Sequence, residues 1–263
     1  MRIHLPEVPS TNTWLLDALS RNEPIEEETV VYTMCQTQGR GQVGNTWESE
    51  PGFNIAFSLL LRPSFWPIRS QFTLSQLCCL GIFDGLSSLC KGADEGDAFL
   101  SKLCIKWPND IYVGDKKLGG MLIENRIMNG TLSECVLGVG LNVNQTVWRG
   151  DAPNPTSLLL QGLKYSPEQV LAAATEGITD RYHLFKQNPE TYGARIHDDF
   201  VKHLYRKEGV FDYVDAQTGK PFRAEIAGVD PAGPLLLNTT DGECLSYWFK
   251  EVKFVLPCGV IKE

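Results

Sequence analysis

The sequence predicts an α+β fold, with a larger unit of strands and helices followed by a small five-stranded barrel at the C-terminal end. Apolar residues recur at three- and four-residue steps between Leu74 and Leu89, a pattern typical of an amphipathic helix. From Gly209 onward the apolar period changes from about 3.6 to 2, and short apolar runs alternate with turn residues. The length of 263 residues and the hydrophobic content of 43% are sufficient for a sizeable core.

The elements of the larger unit follow from capping residues, periodicity and β-branched runs. Ser10 begins the first predicted helix, and Ser166 begins another with a proline at its first position and a capping-box glutamine. The predicted helices cover residues 10–19, about 71–90, 166–185 and 189–204. The predicted strands cover residues 29–35, 53–61, 103–107, 111–113, 117–124 and 132–143, and the polar segment 91–97 is expected to be a loop.

The C-terminal unit consists of short runs joined by tight turns. Its turns carry the glycine, proline and aspartate residues that favour reversal of the chain. Its strands are predicted at residues 210–214, 222–229, 234–238, 244–248 and 252–256. We therefore expect a domain at residues 1–207 and a small barrel at residues 208–263.

The composition argues against several classes of partner. A formal net charge of −8 disfavours general binding to a nucleic-acid backbone, which requires a cationic surface. Residues 1–10 lack the apolar core of a secretory signal, and the longest apolar stretch, residues 55–61, is too short to span a bilayer. We expect a cytoplasmic protein that binds neither nucleic acid nor membrane. The eight cysteines are expected to be reduced, and the four histidines lack the spacing of a metal site.

A glycine-punctuated loop follows the first predicted strand. Gly39, Gly41 and Gly44 permit close approach of the backbone to a ligand, and successive N–H groups there can surround an anion. Arg40 adds a planar cation suited to a phosphate or carboxylate. The loop lacks the context of a dinucleotide-binding or Walker motif, so a glycine-rich surface turn is the alternative. Trp47, just beyond the loop, either stacks on a purine or fills a core.

The most informative stretch is Lys106-Trp107-Pro108-Asn109-Asp110. Lys106 ends an apolar strand, and Pro108 keeps Trp107 extended and cannot donate to a sheet. A lysine in this position is expected to point into a cleft, where its charge stabilises negative charge that develops on carboxylate and phosphate oxygens. An edge-strand lysine that prevents aggregation is the alternative. Asp110 is interpreted as a turn residue, with assistance in catalysis as the second option.

Glycines interrupt two strands that are otherwise well patterned. Gly119 and Gly120 lie in one of them, and Gly138 and Gly140 lie in the next. Glycine inside a strand indicates close approach by a ligand or another backbone. Together with Lys106, these glycines place cavity-forming features at comparable depth in three strands, which predicts a ligand cleft over the sheet.

In this order, the motifs resemble those of the biotin–protein ligases. The resemblance covers essentially the whole chain, and its five motifs are Ser10-Thr11-Asn12, Gln36 with Gly39-Arg40-Gly41-x-x-Gly44 and Trp47, Lys106-Trp107-Pro108-Asn109-Asp110, Lys117-Leu118-Gly119-Gly120, and Gly138-Val139-Gly140-Leu141-Asn142. It implies a mixed β-sheet flanked by helices, similar to the catalytic domain of class II synthetases, followed by an SH3-like barrel. It also implies that biotin and ATP, with Mg²⁺, form biotinyl-5′-AMP, and that the biotinyl group passes to a lysine of a biotin carboxyl carrier protein.

The same resemblance implies roles for individual residues. Lys106 and Arg40 are expected to act in catalysis, against the biotin carboxylate and the adenylate phosphate. The residues expected to bind biotin are Ser10, Thr11, Asn12, Gln36, Gly39, Arg40, Gly41, Lys106, Gly120, Gly138 and Gly140. The residues expected to bind the nucleotide are Arg40, Gly41, Gln42, Trp47, Lys106, Asn109 and Asn142. No metal site made of protein ligands is expected.

The chain departs from the family pattern in two places. The family loop often carries arginine where this chain has Gln42 and Val43, so Arg40 is the one charged ligand expected there. Only nine residues precede Ser10, so we expect a monofunctional ligase without the DNA-binding domain of many bacterial members. A monomer or a homodimer is expected.

The nearest rival function is that of a lipoate–protein ligase or octanoyltransferase, which shares the fold. The Ser10 and Lys106 motifs favour biotin. A non-catalytic biotin-binding or sensing protein would need neither Lys106 nor the Arg40 loop. A cytosolic α/β protein without a site would leave the glycines within the strands unexplained.

Overall fold

A central mixed sheet dominates the computed structural model, which describes residues 1–42, 44–128, 130–150 and 154–256. The strands of the larger unit are β1 Arg2–His4, β2 Val30–Thr33, β3 Gly39–Arg40, β4 Thr46–Trp47, β5 Ile55–Leu61, β6 Leu103–Lys106, β7 Asp110–Val113, β8 Lys116–Met128 and β9 Thr131–Leu141. Seven of them form one sheet in the order β1-β2-β5-β9-β8-β7-β6, and β3 pairs with β4 in a separate hairpin. Strand β1 is parallel to β2, whereas the other neighbouring pairs are antiparallel.

In the described part of the chain, five α-helices accompany this sheet: α1 Thr11–Ser20, α2 Phe72–Cys90, α3 Gly96–Leu100, α4 Pro167–Gln187 and α5 Pro189–Lys202. Helix α2 packs against α4 and α5. By length and composition α2 is apolar enough to cross a membrane, but 61% of its apolar window is buried within the fold. It therefore has the character of a core helix.

The two faces of the central sheet have different partners. Phe57 and Leu59 on β5 belong to the main apolar core, which also contains the inward faces of α2 and α4. Leu60 and Val136 face the other way and pack with Leu15 of α1. Because side chains alternate across a strand, residues two positions from Leu60 and Val136, such as Ser58 and Gly138, share the α1 face. The cleft described below lies on that face.

The C-terminal unit is an antiparallel sheet of five strands. These are β10 Phe211–Asp215, β11 Pro221–Val229, β12 Leu235–Thr239, β13 Cys244–Tyr247 and β14 Val252–Phe254, in the order β13-β12-β11-β10-β14. Trp107 connects this sheet to the larger unit, since its indole N–H donates to the carbonyl of Gly233 at 2.8 Å. The predicted small β unit is confirmed, whereas the division at residues 207 and 208 stays a prediction.

The structure differs from the sequence-based expectations at several elements, and one of them is the β3–β4 hairpin, which lies in the segment expected to be a loop. Strand β1 was not predicted, because three residues carry too little pattern. Helix α3 begins inside the segment expected to be a loop, since a five-residue helix has little periodicity of its own. Strand β8 continues to Met128, beyond the predicted end at residue 124, because its hairpin with β9 extends into solvent where apolar alternation is not required. The seven described cysteines are free, and Cys258 lies outside the described residues.

Candidate active site

A cleft of about 960 Å³ lies between the central sheet, the loop after β2 and the small sheet. It is lined by every residue predicted for the site except Gly39, namely Ser10, Thr11, Asn12, Gln36, Arg40, Gly41, Gln42, Trp47, Lys106, Asn109, Gly120, Gly138, Gly140 and Asn142. Gly39 lies behind this surface, where an added side chain would overlap the backbone of Trp47 and approach the amide of Gln36 at 3.0 Å. The structure brings these residues together, and their individual roles stay predictions.

The floor of the cleft is a row of residues in register across the sheet. Lys106 pairs with Asp110, Asp110 with Gly120, and Gly120 with Gly140. Directly opposed residues share one face of a sheet, so a lysine, an aspartate and two glycines point to the same side. Because glycine has no side chain, the surface of the sheet is recessed between the charged end of the row and β5.

The glycines also make room for two protein side chains. A Cβ atom on Gly138 would overlap the side-chain amide of Asn12. A Cβ atom on Gly140 would lie 2.5 Å from Cε2 of Trp47. The in-strand glycines therefore permit close approach, as their sequence pattern indicated, and here Asn12 and Trp47 make it.

A buried polar cluster forms one end of the cleft. The side chain of Ser10 caps α1 by accepting from the N–H of Thr13 at 3.4 Å. Asn12 and Ser58 are 4% and 0% exposed, and the Ser58 hydroxyl lies 2.5 Å from Oδ1 of Asn12. The Ser58 hydroxyl is also 2.8 Å from Oγ1 of Thr11. Buried polar groups are costly unless they are paired, so these contacts fix the side chains that line this end.

The glycine loop forms the opposite wall. Its ends pair in the β3–β4 hairpin, and the N–H of Gly41 donates to the carbonyl of Asn45 at 2.8 Å. Arg40 reaches across to Glu124, with 2.8 Å between Nη2 and Oε2. Gln42 lines the cleft, whereas Val43, the other position at which family members often carry arginine, lies outside the described residues.

Lys106 is the cation of the floor. Its Nζ lies 5.4 Å from the ring centre of Tyr112 and 5.0 Å from that of Phe254. Burial is the main cause that lowers the pKa of the Lys106 ammonium, Asp110 raises that pKa, and Lys117 and Arg206 lower it further. Among the described residues, no carboxylate lies within ion-pair distance of this ammonium, whereas Lys117 is paired with Asp110 at 2.8 Å. A partly desolvated, unpaired cation is stabilised by an anion that binds beside it.

Three polar atoms in the nucleotide part of the predicted site have no protein partner among the described residues. Oε1 of Gln42, Nε1 of Trp47 and Oδ1 of Asn142 are buried without a hydrogen bond. Asn142 is held in place because its Nδ2 donates to the carbonyl of Thr156 at 2.9 Å. The side chain therefore presents a fixed, unused acceptor. Lys117 lies over the Trp47 indole, 6.0 Å from the ring centre, and adds positive charge nearby.

Sequence reasoning missed several residues of the site. The small sheet and the turn before β14 contribute Phe249, Val252 and Phe254 to the cleft. Their sequence gave no signal, since the contact depends on how the small sheet is placed. Glu124 and Ser58 lie behind the cleft surface and hydrogen-bond to Asn12. They could have been found from strand alternation, because Glu124 is four residues from Gly120 on the same face of β8 and Ser58 is paired with Gly138. Asp110, interpreted as a turn residue, instead begins β7 and pairs with Lys117.

Comparisons with known proteins agree with these features. A sequence model described as the biotin/lipoate A/B protein ligase family matches residues 5–142. The bifunctional ligase/repressor BirA of Escherichia coli K12 is 33% identical over 241 residues, which are 89% of this chain and 68% of that protein. The biotin–[acetyl-CoA-carboxylase] ligase of Paracoccus denitrificans is 27% identical, over 90% of this chain and 94% of that protein.

Solved structures show the same fold. The biotin protein ligase of Aquifex aeolicus in complex with biotin and ATP superposes with a TM-score of 0.72 at 22% identity, covering 95% of this chain and 97% of that one. The Leishmania major biotin protein ligase with biotinyl-5-AMP gives a TM-score of 0.60 at 20% identity, covering 94% and 98%. The predicted family, fold and enzyme class are confirmed. The motifs, the cleft and these matches together show that the chain belongs to the biotin/lipoate A/B protein ligase family.

Proposed function

We propose that this protein is a biotin–protein ligase that acts in two steps. It joins biotin to ATP as biotinyl-5′-AMP with release of pyrophosphate, and it then transfers the biotinyl group to a lysine of a biotin carboxyl carrier protein with release of AMP. The observation that carries this proposal is the Lys106 ammonium, which has no carboxylate within ion-pair distance among the described residues. It is in register with a glycine floor and faces a cleft that also contains Arg40. The biotin-bound and biotinyl-AMP-bound relatives support the choice of ligand.

The first step brings two anions together. The biotin carboxylate must approach the α-phosphate of ATP, and their repulsion opposes the reaction. Lys106 would stabilise the negative charge that accumulates between them, and Arg40 would bind the phosphate from the loop side. A donor that is already in place needs no reorganisation during the reaction, so its contribution to the rate is large.

Biotin would occupy the end of the cleft beside Ser10, Thr11 and Asn12. The ureido ring offers one carbonyl acceptor and two N–H donors, and this end of the cleft is lined by hydroxyl and amide groups. The adenine would lie toward Trp47 and Asn142. An aromatic face suits a purine, and the unused Oδ1 of Asn142 suits an exocyclic amine.

Mg²⁺ would enter with ATP and supply positive charge against the departing pyrophosphate. Within the described ranges no three His, Cys, Asp or Glu side chains converge on a metal position. The triphosphate and water would therefore provide most of its ligands, as is common for this ion.

The second step exposes the mixed anhydride to the amine of the carrier lysine. Water competes for the same carbonyl, so the cleft must stay closed until the carrier arrives. The Arg40 loop and Phe254 of the small sheet line the cleft and would limit that access. We propose that the reaction takes place in the cytoplasm.

A direct test is to incubate the protein with biotin, MgATP and a biotin carboxyl carrier domain and to follow the carrier by mass spectrometry. One biotinyl group on a single lysine is the expected product. Parallel reactions with lipoate and octanoate test the rival functions. Modification by lipoate or octanoate in preference to biotin would overturn the proposal.

A further inference from the structure

Glu124 joins three parts of the site, although it was not among the predicted residues. Its Oε2 accepts from Nη2 of Arg40 at 2.8 Å and from Nδ2 of Asn12 at 2.8 Å. Its Oε1 lies 3.3 Å from Nη1 of Arg40. One carboxylate on β8 therefore holds a loop residue and a helix residue at the same time.

The hydrogen bonds continue from Asn12 into the buried end of the cleft. Nδ2 of Asn12 is directed to Glu124 and to the carbonyl of Leu122 at 3.3 Å, which leaves Oδ1 for the hydroxyl of Ser58. Ser58 contacts Thr11, whose N–H donates to Oε1 of Gln36 at 3.0 Å. Because an amide has distinct donor and acceptor ends, Glu124 fixes which end of Asn12 faces each neighbour.

The position of Glu124 on β8 explains how it reaches both partners. Glu124 is two residues beyond Leu122 and four beyond Gly120, so all three lie on the cleft face of the strand. Gly138, opposite Leu122, leaves room for Asn12 to cross above the sheet toward Glu124. The glycine of β9 and the carboxylate of β8 therefore belong to one arrangement.

We infer that Glu124 is a positioning residue for the ligation reaction, an inference that rests on the proposed function. It orients the guanidinium of Arg40 for the adenylate and fixes the amide of Asn12 for biotin. The guanidinium keeps further N–H groups available for a phosphate, since it has five donors in total. Retention of biotinyl-AMP and recognition of biotin are thus linked through one side chain.

Two substitutions separate these effects. Glu124→Gln keeps an acceptor for Asn12 and removes the negative charge that holds Arg40. Glu124→Ala removes both contacts. Glu134→Gln is the matched control, because Glu134 is a carboxylate of the neighbouring strand that pairs with Arg126 and Arg62 away from the cleft.

The primary measurement is the dissociation rate of preformed biotinyl-AMP, with the Kd of biotin measured separately without ATP. Glu124→Gln should accelerate dissociation by about three- to fivefold at low salt, the range for a partly exposed ion pair, and leave the Kd of biotin nearly unchanged. The acceleration should diminish at about 1 M salt, where such pairs are screened. Glu124→Ala should in addition raise the Kd of biotin by about tenfold, the size of one charge-assisted hydrogen bond.

A double-mutant cycle tests whether Glu124 acts on the dissociation rate through Arg40. In an Arg40→Ala background, Glu124→Gln should produce no further acceleration, because the partner is already absent. Glu134→Gln should match the wild type in both measurements. Wild-type dissociation from Glu124→Gln, or an equal effect with and without Arg40, would overturn the positioning role. A wild-type protein that forms no biotinyl-AMP would instead refute the proposed function itself.

Discussion

Replacement of Lys106 by methionine removes the floor cation while retaining a long, unbranched side chain between the rings of Tyr112 and Phe254. Arg40 and Lys117 already pair with Glu124 and Asp110, so neither is positioned to replace the lost charge. Two unit charges about 4 Å apart interact by about 4 kcal/mol at an effective dielectric constant of about 20. Loss of one preorganised contact typically lowers the rate by about 10²–10³, or about 2.7–4 kcal/mol of barrier. We expect a decrease of this size in biotinyl-AMP formation.

Single-turnover formation of biotinyl-AMP is the appropriate assay, since it isolates the first step from transfer. Lys116→Met is the control, because Lys116 is exposed at the start of β8 and does not line the cleft. The free energy of unfolding of Lys106→Met should equal or exceed that of the wild type. Desolvation of a cation that has no carboxylate partner among the described residues disfavours the folded state. A Lys106→Met protein that is folded and forms the adenylate within about threefold of the wild-type rate would refute the role of Lys106.

One further prediction concerns the protonation of Lys106, and two concern glycines at close contacts. Burial lowers the pKa of Lys106, and the protonated form is the active one. Biotinyl-AMP formation should therefore decrease as the pH rises through that lowered pKa, below the value of about 10.4 at which an ordinary lysine titrates. Lys106→Arg should move this decrease to higher pH, and an unshifted pH–rate profile would contradict the assignment. Gly140→Ala should displace Trp47, since the new Cβ would lie 2.5 Å from Cε2 of its indole. The KM for ATP should rise by about tenfold, the size of one lost contact, and the KM for biotin should change little. Equal changes in both KM values would count against a position of Trp47 beside the adenine. Gly81→Ala should lower the free energy of unfolding, measured by urea denaturation, by about 1–3 kcal/mol, because the new Cβ would lie 2.5 Å from the Cα of Ile178 on α4. The control Ser88→Ala, at an exposed position of α2, should change it little. Equal stability of the two variants would show that the helices adjust freely.

Local chemistry was sufficient to predict most elements of the fold. The capping box of α4 has both of its hydrogen bonds. The N–H of Gln169 donates to Oγ of Ser166 at 3.2 Å, and the N–H of Ser166 donates to Oε1 of Gln169 at 2.8 Å. The five short strands of the C-terminal unit follow from their turns. Strand β1 and helix α3 were missed because very short elements depend on neighbours distant in sequence, which local patterns do not encode.

Some residues of the candidate site could likewise be predicted from the local sequence, and others could not. Lys106, Arg40 and the in-strand glycines carry unusual residue types in unusual places, so the sequence alone pointed to them. Glu124 was missed because a glutamate at the end of an apolar run is normally read as a solvent-facing residue. Phe254 was missed because its contact with Lys106 depends on the placement of the C-terminal sheet, about 150 residues further along the chain. Long-range contacts of this kind require the tertiary structure.

The central claim is that this cleft activates a carboxylate by stabilising the approach of two anions, and biotin-dependent exchange of labelled pyrophosphate into ATP measures that step without a carrier protein. The wild-type protein should catalyse exchange only when biotin and MgATP are both present. The exchange rate of Lys106→Met should be lower than that of the wild type by a factor of about 10²–10³. Absence of biotin-dependent exchange by a folded wild-type protein would contradict the account.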